Sequence, residues 1–370
     1  MTMKDVVLVT GSSGLIGSAA IRRLADGYRM IGFDREGGSR HPPPMAECVC
    51  IDLTEQESLA LGMERVRYGY GGRVASVIHL AAYYDFSGEP SPLYEQITVR
   101  GTERLLGALR GFQVEQFVFS SAMLVHAPCR PGERIDEDWP LAPRWDYPGS
   151  KVRTEELIRA ERGAMPAVIL RIAGVYDNDC HSIPLAHQVQ RIYERRPTGR
   201  VFPGDITHGQ SFVHLDDVVE ALWLTVERRR ELPAEVVLLI GEAEMLSYEE
   251  LQRTLGRLIH GEQWETTEVS KTLAKTGAWI QDHFPGEEPF IKPWMIDLAD
   301  DHYALDVTHA RTTLGWQPRR SLRETLPRMV EALKRDPTQF YRQNKLDMPG
   351  WLEEQTGARP ETSHAVGSAE

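Results

Sequence analysis

Short apolar runs of strand length alternate with longer amphipathic segments along the first half of the chain. The apolar runs are DVVLVT, MIGF, CVCI, VASVIHL and QFVFSS, and helical periodicity separates them. The helical segments are Leu15 to Ala25, Leu59 to Val66 and Leu93 to Leu109. This alternation predicts βαβ units, in which a parallel sheet carries helices on both faces. We therefore expect a doubly wound α/β domain here.

The pattern becomes less regular after the apolar run AVILRIAGVY, which ends at Tyr176. Prolines, turns and short strands are then mixed with helices. One helix is predicted to begin at Ser247, because Glu250 three residues later completes a capping box. The tail beyond Trp351 has almost no apolar periodicity, which predicts a mobile end.

These patterns predict the organisation of the chain beyond its first domain. We expect a smaller α/β region over residues 176–335, built over the carboxyl edge of the sheet. Parts of residues 198–240 are expected to complete the sheet. Residues 336–370 are expected to form a C-terminal extension.

Charge, hydropathy and cysteine spacing disfavour several kinds of function. The 370 residues include 54 Asp and Glu against 42 Lys and Arg, a net charge of -12, whereas a nucleic-acid partner needs clustered cations. The longest apolar runs fall far short of the ~20 residues that span a bilayer, and the first residues lack the pattern of a signal peptide. The cysteines have no spacing typical of a zinc site or a disulfide framework. We expect a soluble cytoplasmic protein without a metal.

A glycine-rich turn lies between the first predicted strand and the first predicted helix. Gly11, Gly14 and Gly17 stand in VLVTGSSGLIGSAA, where missing side chains let backbone amides at a helix N-terminus approach a pyrophosphate. Asp34 ends the second strand about twenty residues later, where an acid accepts hydrogen bonds from an adenosine ribose. The pattern predicts a Rossmann-type sheet that binds NAD. Arg35 leaves NADP open, because its guanidinium can pair with a 2′-phosphate.

Later strand ends add to the predicted cofactor site. Asp52 and Leu53 follow the third strand, and HLAA follows the fourth, where adenine and the second ribose would lie. Alone, Asp52 is equally typical of a helix N-cap. Four such motifs at the ends of successive strands favour a cofactor site, so we expect residues 1–175 to form the NAD-binding domain. The predicted cofactor contacts are Gly11, Ser13, Gly14, Leu15, Ile16, Gly17, Asp34, Arg35, Asp52, Leu53, Leu80, Ala81, Ala82, Ser120, Tyr147, Lys151 and Ile172.

The segment YPGSK supplies a candidate acid and base. Tyr147 and Lys151 stand four residues apart, hence on one face of a helix, and Pro148 suits the first helical turn. A lysine cation beside a phenol stabilises the phenolate and is expected to lower its pKa from about 10 toward neutrality. Such a phenol exchanges a proton with a substrate alcohol.

These residues, in this order, resemble the extended short-chain dehydrogenase/reductase family, which includes nucleotide-sugar epimerases and dehydratases and 3β-hydroxysteroid dehydrogenase-like enzymes. The resemblance covers about residues 4–335. It rests on TGSSGLIG, Asp34, Asp52-Leu53, HLAA, FSSAMLV, YPGSK, LRIAGVY, FVHLDDVVEAL and LGWQPRRSL.

The resemblance implies a tightly held nicotinamide cofactor, with Tyr147 as acid and base. It implies that Lys151 binds the nicotinamide ribose and tunes the tyrosine, while a hydride passes between a substrate carbon and the ring. Most such folds pair through two long helices. By resemblance we expect a homodimer through Leu93 to Leu109 and Val152 to Arg162.

The sequence departs from the family at the position that normally supplies a catalytic hydroxyl. Ser or Thr is usual three residues before the valine of segments like SSAMLV, and that position is Ala122. We expect Ser121 to substitute in part, which needs a local twist because successive strand side chains point to opposite faces. Ser120 has the right parity but lies further back. Met123 and Leu124 replace the acids of sugar dehydratases and cannot transfer protons, which disfavours a dehydratase.

Groups that clamp a substrate diphosphate in nucleotide-sugar epimerases are also replaced. The aligned positions are Gly174, Gln210 and Ile296, none of which carries a positive charge. Other cations could substitute from other positions, although each is more typical of a solvated surface charge: Arg195, Arg196, Arg200 and Lys292. Thr98 replaces the family's relay asparagine, so a proton relay behind Lys151 would have to be built differently.

Aromatic side chains are expected to line the substrate cleft. The segment YYDF follows the strand that ends at HLAA, and with Met123 and Leu124 it predicts a partly apolar pocket, unless the tyrosines pack on a helix. His126, where many relatives have tyrosine, is expected to be structural. The predicted substrate contacts are Tyr83, Tyr84, Ala122, Met123 and Gly174.

The sequence as a whole predicts an NAD-dependent enzyme that interconverts a secondary alcohol and a ketone. In one version the ketone is transient and a sugar or sugar nucleotide is epimerised. In another the ketone is released, and the enzyme is a dehydrogenase of a less polar hydroxy compound. A catalytically weak NAD-binding protein is the third possibility, because of Ala122.

Overall fold

The computed structural model describes residues 4–36, 42–85, 89–275 and 293–356. Seven parallel strands form the central sheet, in the order β12-β8-β7-β5-β1-β2-β3. In chain order the strands are β1 (Val6–Thr10), β2 (Arg29–Asp34), β3 (Ala46–Cys50), β4 (Arg73–Val74), β5 (Ser76–His79), β6 (Gln113–Val114), β7 (Phe117–Ala122), β8 (Ala167–Ile172), β9 (Gly174–Tyr176), β10 (Val201–Pro203), β11 (Phe212–His214), β12 (Glu235–Ile240) and β13 (Thr267–Val269).

Helices cover both faces of the sheet, as the alternating pattern predicts. In chain order they are α1 (Leu15–Leu24), α2 (Gln56–Tyr70), α3 (Arg100–Leu109), α4 (Asp146–Glu161), α5 (Ile183–Tyr193), α6 (Leu215–Glu227), α7 (Tyr248–His260), α8 (Lys271–Lys275), α9 (Pro293–Leu298), α10 (Thr308–Leu314), α11 (Leu322–Arg335), α12 (Pro337–Gln343) and α13 (Gly350–Thr356). A π-helical segment, Tyr94–Val99, leads into α3. Short 3₁₀ segments follow β7 (Met123–Val125) and precede β10 (Pro197–Arg200).

Alternating side chains of the strands feed two separate cores. On β7, Phe117 and Phe119 join the core under α2, α3 and α4, whereas Val118 joins the core under α1 and α6. Both faces of the sheet are therefore buried, which is why its strands have apolar runs rather than strict alternation. The predicted doubly wound α/β fold is confirmed.

The second half of the chain builds a smaller region with its own core. Helices α5, α7, α11 and α12 bury side chains such as Trp264 and Tyr341. The predicted capping box is present at α7, where the Ser247 hydroxyl accepts from the Glu250 amide and the Glu250 side chain accepts from the Ser247 amide. β12 pairs with β8 at the edge of the main sheet. The domain limits at 175 and 335 stay predictions. The tail beyond Trp351 is expected to be mobile, but residues 352–356 belong to α13 and Leu352 is buried, so that part of the prediction is wrong. Residues 357–370 lie outside the described residues.

Short extended segments bring the two halves of the chain together beyond the carboxyl ends of the strands. β9 pairs with β11 in parallel. Gln210 bridges to Tyr303, and Ile135 bridges to Leu305. The segment after β7, the β9–β11 pair and residues 303–305 therefore meet beyond the edge where the sequence predicts the cofactor and substrate. Over the described part of the chain, no helix has the length and apolar character needed to cross a membrane.

Candidate active site

The glycine turn between β1 and α1 approaches its neighbours too closely for side chains. Gly11 has a φ of +68°, and its amide donates to the Phe33 carbonyl at 2.9 Å. A Cβ on Gly17 would lie 2.2 Å from the Gly11 carbonyl oxygen, well inside any real contact. Gly14 is the N-cap of α1 and provides no side-chain cap, so the first amides of the helix are not bonded by a capping side chain. The residues present therefore fit a pyrophosphate at this helix N-terminus.

Asp34 lies beside this turn at the end of β2. One carboxylate oxygen accepts hydrogen bonds from the Ser13 amide, at 2.7 Å, and from the Ser13 hydroxyl, at 2.5 Å. The other accepts from the amide of Arg35 at 2.9 Å. The carboxylate therefore holds the turn in shape and keeps lone pairs available for a ribose. Arg35 itself is exposed.

The later strand ends are built around buried polar side chains. Asp52 accepts from the Thr54 amide and hydroxyl, each at 2.7 Å, so it forms a local turn before α2. The Thr10 hydroxyl accepts from the amides of Leu80 and Ala81 at 3.2 Å. The ring of His79 joins Thr10 to Thr102, with Nδ1 2.7 Å and Nε2 2.8 Å from their hydroxyls. Burial, and then the charge of Lys151, lower the pKa of His79 to about 3, so the ring is neutral.

Tyr147 lies in the first turn of α4 among other aromatic rings. Its ring centroid is 4.9 Å from that of Tyr84, 5.4 Å from that of Trp145 and 6.5 Å from that of Tyr94. Burial, and then Tyr94, raise the pKa of the phenol. The expected lowering by Lys151 is therefore not seen, because the ammonium lies 5.6 Å from the ring centroid and burial is the larger effect.

Lys151 lies one turn further along α4 and is almost fully buried, with 2% of its surface exposed. Its ammonium donates to the Ser120 carbonyl at 2.7 Å and lies 4.9 Å from the centroid of the Phe119 ring. Burial lowers the pKa of this lysine to about 7, and the negative charge of Glu155 acts in the opposite direction. The structure thus brings Tyr147, Lys151 and the end of β7 together as the sequence predicts.

Ser121 does not face the position expected of it. It shares the α4 face of β7 with Phe119, and its hydroxyl donates to the Glu155 carboxylate at 2.6 Å. Glu155 in turn pairs with Arg171 at 2.7 Å, and both are buried. No local twist brings the hydroxyl to the opposite face, where Ala122 lies. The geometry argues against Ser121 as a substitute for the missing hydroxyl.

The substrate side of the edge is aromatic and apolar. Tyr83 packs edge-on against Tyr94 with centroids 4.8 Å apart, and its amide donates to the Thr98 hydroxyl at 3.0 Å. Tyr84, against Tyr147, keeps 46% of its surface exposed. Ala122 and Met123 are buried at the end of β7, and Ile172 is buried at the end of β8. Phe86, the last residue of the YYDF segment, lies outside the described residues.

The positions aligned with diphosphate clamps have other contacts. A Cβ on Gly174 would lie 2.8 Å from the Phe212 ring, so a larger side chain needs that ring to move. Gln210 bridges to Tyr303, and Ile296 is buried. The alternative cations are engaged elsewhere: Arg195 pairs with Glu262 at 2.6 Å, Arg196 with Glu194 at 2.6 Å, and Arg200 lies 4.0 Å from the Trp264 ring. Lys292 lies outside the described residues.

Two further groups of titratable side chains, His126 and the loop after β9, have structural contacts. His126 is structural as expected, since Nδ1 is 2.9 Å from the Trp139 carbonyl and Nε2 is 3.1 Å from Arg171. Asp177, Asp179 and His181 have the spacing of metal ligands in the loop after β9. The His181 ring already lies 2.6 Å from Asp177, and Asp179 is exposed, so this loop supports its own turn.

The sequence reasoning missed Glu155, Arg171 and Trp145. Glu155 carried a weak signal, because it continues the spacing from Tyr147 through Lys151 along one helix face. Its partner Arg171 lies on β8, and Trp145 is the residue before α4. Spacing along the sequence predicts neither the pairing of Glu155 with Arg171 nor the packing of Trp145 on Tyr147.

Comparisons with known proteins agree with this geometry. Residues 7–241 match the family model described as "NAD dependent epimerase/dehydratase family". The chain is 25% identical to 3 beta-hydroxysteroid dehydrogenase type 7 of Mus musculus, in an alignment 370 positions long that covers 88% of this chain and 95% of that protein. It is 28% identical over 351 residues to UDP-glucose 4-epimerase of Mycolicibacterium smegmatis, covering 88% and 97%.

A solved structure shows the same fold. The UDP-glucose 4-epimerase of Thermus thermophilus, a complex with NAD, superposes with a TM-score of 0.67 at 22% identity, covering 89% of this chain and 99% of that one. The family model matches well over half of the chain, which confirms the resemblance drawn from the motifs and supports NAD as the cofactor. The chain therefore belongs to the NAD-dependent epimerase/dehydratase family, within the extended short-chain dehydrogenase/reductases.

Proposed function

We propose that the protein interconverts a secondary alcohol and a ketone by hydride transfer with NAD. The observation that carries the proposal is the position of Lys151, buried one turn from Tyr147 on α4 and fixed to the Ser120 carbonyl at 2.7 Å. This pair lies at the same sheet edge as the glycine turn. Alone, a Tyr and a Lys one turn apart are common on helices, but here they share an edge with a dinucleotide cradle.

The cofactor is held in this proposal by the turn from Gly11 to Gly17, with Asp34 accepting from the adenosine ribose. A carboxylate at this position repels a 2′-phosphate, so NAD is preferred over NADP. Arg35 is exposed and is the residue that would favour NADP.

NAD supplies a nicotinamide ring that takes a hydride from the alcohol carbon and returns one to the ketone. Tyr147 accepts the alcohol proton as the hydride leaves and gives it back in the reverse direction. Because burial raises the pKa of this phenol, the positive charge of Lys151 is needed to stabilise the phenolate. Ala122 offers no hydroxyl, which leaves Tyr147 as the principal contact to the substrate oxygen.

The contacts favour a dehydrogenase, which oxidises a less polar hydroxy compound and releases the ketone product. Tyr84 and Trp145 surround Tyr147, and Met123 is buried where β7 ends, so the surface near the reacting carbon is apolar. Gly174 and Ile296 give a diphosphate no charge-assisted donor. The mouse relative is named a 3 beta-hydroxysteroid dehydrogenase, which fits this reading.

Epimerisation of a sugar or sugar nucleotide is the second candidate, because UDP-glucose 4-epimerases match the chain at similar coverage. A dehydratase is disfavoured, since Met123 and Leu124 carry no proton-transferring groups. A cytoplasmic location and a homodimer through residues 93–109 and 152–162 stay predictions from the sequence.

Cofactor redox state separates the candidates. The protein is incubated with NAD and, separately, a 3β-hydroxysteroid and UDP-glucose, while NADH absorbance and the sugar products are followed. Stoichiometric NADH with the steroid supports a dehydrogenase of a less polar compound. Conversion of UDP-glucose to its 4-epimer without net NADH supports an epimerase. If no panel of secondary alcohols gives NADH or an epimer, the protein is a binding protein and the proposal fails.

A further inference from the structure

The ammonium of Lys151 is located by a backbone group, the Ser120 carbonyl, at 2.7 Å. Lys151 belongs to α4 and Ser120 to β7, so the place of the ammonium depends on how the end of this strand is fixed against this helix. A shift of the strand end would move or break the hydrogen bond. The residues that join β7 to α4 at this level therefore control the lysine.

Ser121 makes the next connection between the same two elements. Its hydroxyl donates to Glu155 at 2.6 Å, and both side chains are buried. Glu155 stands one turn beyond Lys151 on the same face of α4. Two successive hydrogen bonds therefore join the strand to the helix. In the first the helix donates, from Lys151 to Ser120; in the second the strand donates, from Ser121 to Glu155.

Glu155 is itself held in place by β8. Arg171, the residue paired with Ser121 in the sheet register, donates from Nε at 3.1 Å and from Nη2 at 2.7 Å to the two carboxylate oxygens. Besides Ser121 and Arg171, Arg159 on α4 donates to the Glu155 carboxylate at 3.4 Å. Burial favours a neutral Glu155, but the hydrogen bonds and charge of Arg171 outweigh it and lower the pKa of the carboxyl. The carboxylate therefore stays charged inside the protein.

We propose that Glu155 is a positioning residue for Lys151, which acts by fixing the end of β7 through Ser121. The inference rests on the proposed role of Lys151 in holding the nicotinamide ribose. The negative charge of Glu155 acts on Lys151 as well. Within the part of the chain that the structure describes, three titratable groups face Lys151: Tyr147 and Glu155 from α4, and His79 from β5. His79 is neutral, and of these three only Glu155 opposes the effect of burial by favouring a charged lysine.

A purely structural role for this network predicts something different. A buried ion pair that merely joins α4, β7 and β8 would lower the stability of the fold when removed. It would leave the titration of Lys151 and the affinity of a correctly folded protein for the cofactor unchanged. The two roles are therefore separable by measurements on folded variants.

The test uses NADH as the probe and follows its fluorescence on binding to the full chain across neutral and mildly alkaline pH. Glu155→Gln keeps an acceptor for Ser121 but removes the charge, so the pH above which NADH affinity falls should move down by about one unit. Ser121→Ala should weaken NADH binding about 2- to 12-fold, the range of one hydrogen bond, and Ser121→Thr should restore it. Glu161→Gln is the matched control, because Glu161 also lies on α4 and pairs with an arginine, Arg110, but its side chain is 41% exposed.

An unchanged pH midpoint in folded Glu155→Gln, or native NADH affinity in Ser121→Ala, would overturn the proposal. Should Glu155→Gln fail to fold, the NADH affinities of Ser121→Ala and Ser121→Thr alone decide the proposal. Equal affinities of these two variants would overturn it. Lys151→Met separates this inference from the proposed function. If that variant binds NADH with native affinity and pH dependence, the role of the lysine itself is wrong; if only Lys151→Met has an effect, the lysine role stands and the inference about Glu155 fails.

Discussion

The ring of Tyr84 meets the ring of Tyr147 edge-on, with centroids 4.9 Å apart. Tyr84 comes from the loop after β5 and Tyr147 from the start of α4, so the contact closes one side of the candidate cleft over the acid and base. Tyr84 also keeps 46% of its surface exposed, which leaves part of the ring available to a substrate.

Replacing Tyr84 with Ala should raise KM for a less polar alcohol about 2- to 12-fold, because one aromatic contact contributes ~0.5–1.5 kcal/mol beyond its buried area. Tyr68→Ala is the control, since Tyr68 is 91% exposed and lies on α2. Steady-state kinetics of both variants give the comparison. An unchanged KM in Tyr84→Ala would mean that this ring does not line the cleft.

Gly17→Ala should abolish NAD binding or unfold the turn. The added Cβ would lie 2.2 Å from the Gly11 carbonyl oxygen, which belongs to the backbone and cannot turn aside. Gly107→Ala in α3 is the matched control, because an added Cβ there has no atom within 4 Å, and alanine should stabilise the helix by about 0.5–1 kcal/mol. Calorimetric titration with NAD and thermal unfolding measure both effects. Native NAD affinity in Gly17→Ala would show that the cofactor binds elsewhere.

NAD should bind at least about tenfold more tightly than NADP, since Asp34 disfavours a 2′-phosphate by charge. Asp34→Ala should narrow this ratio and also weaken NAD binding, because the carboxylate holds Ser13 at 2.7 Å. Titration of both dinucleotides against the native chain and this variant measures the ratio. Tighter NADP binding by the native chain would show that Arg35 decides the preference.

Ala122→Ser should raise turnover about 2- to 12-fold by adding one hydrogen bond to the substrate oxygen, at the position where the family has a hydroxyl. Ser121→Ala should lower turnover, but through Lys151 rather than through the substrate. Rates for both variants with the same alcohol test this. A slower Ala122→Ser would show that the alanine makes room for a bulkier substrate and that the missing hydroxyl has no place in this enzyme.

The sequence predicted the parts of the site that depend on local geometry. The glycine turn is predictable because its constraints are local: Gly11 has a positive φ, and a Cβ on Gly17 would collide with the Gly11 carbonyl oxygen. Tyr147 and Lys151 share a face because of helical periodicity, and the alternation of apolar runs was enough for the doubly wound sheet.

The parts that failed depend on packing between distant segments. The sequence predicts a lower pKa for Tyr147 because of Lys151, but burial, and then Tyr94, raise the pKa of this phenol. The role of Ser121 depends on Glu155 and on Arg171, whose meeting requires the register of β7 with β8. The spacing of residues along the sequence does not predict this register between the two strands.

The assignment of Tyr147 as acid and base is tested most directly by Tyr147→Phe, measured as the first turnover of NAD-loaded protein with an alcohol that the native chain oxidises. Loss of the phenol oxygen should slow NADH formation by about 10²- to 10⁴-fold and leave NAD affinity within a few fold, because only the proton-transfer group is removed. Tyr68→Phe, exposed on α2, should keep the native rate. A Tyr147→Phe variant that keeps most of the native rate would contradict the proposed mechanism.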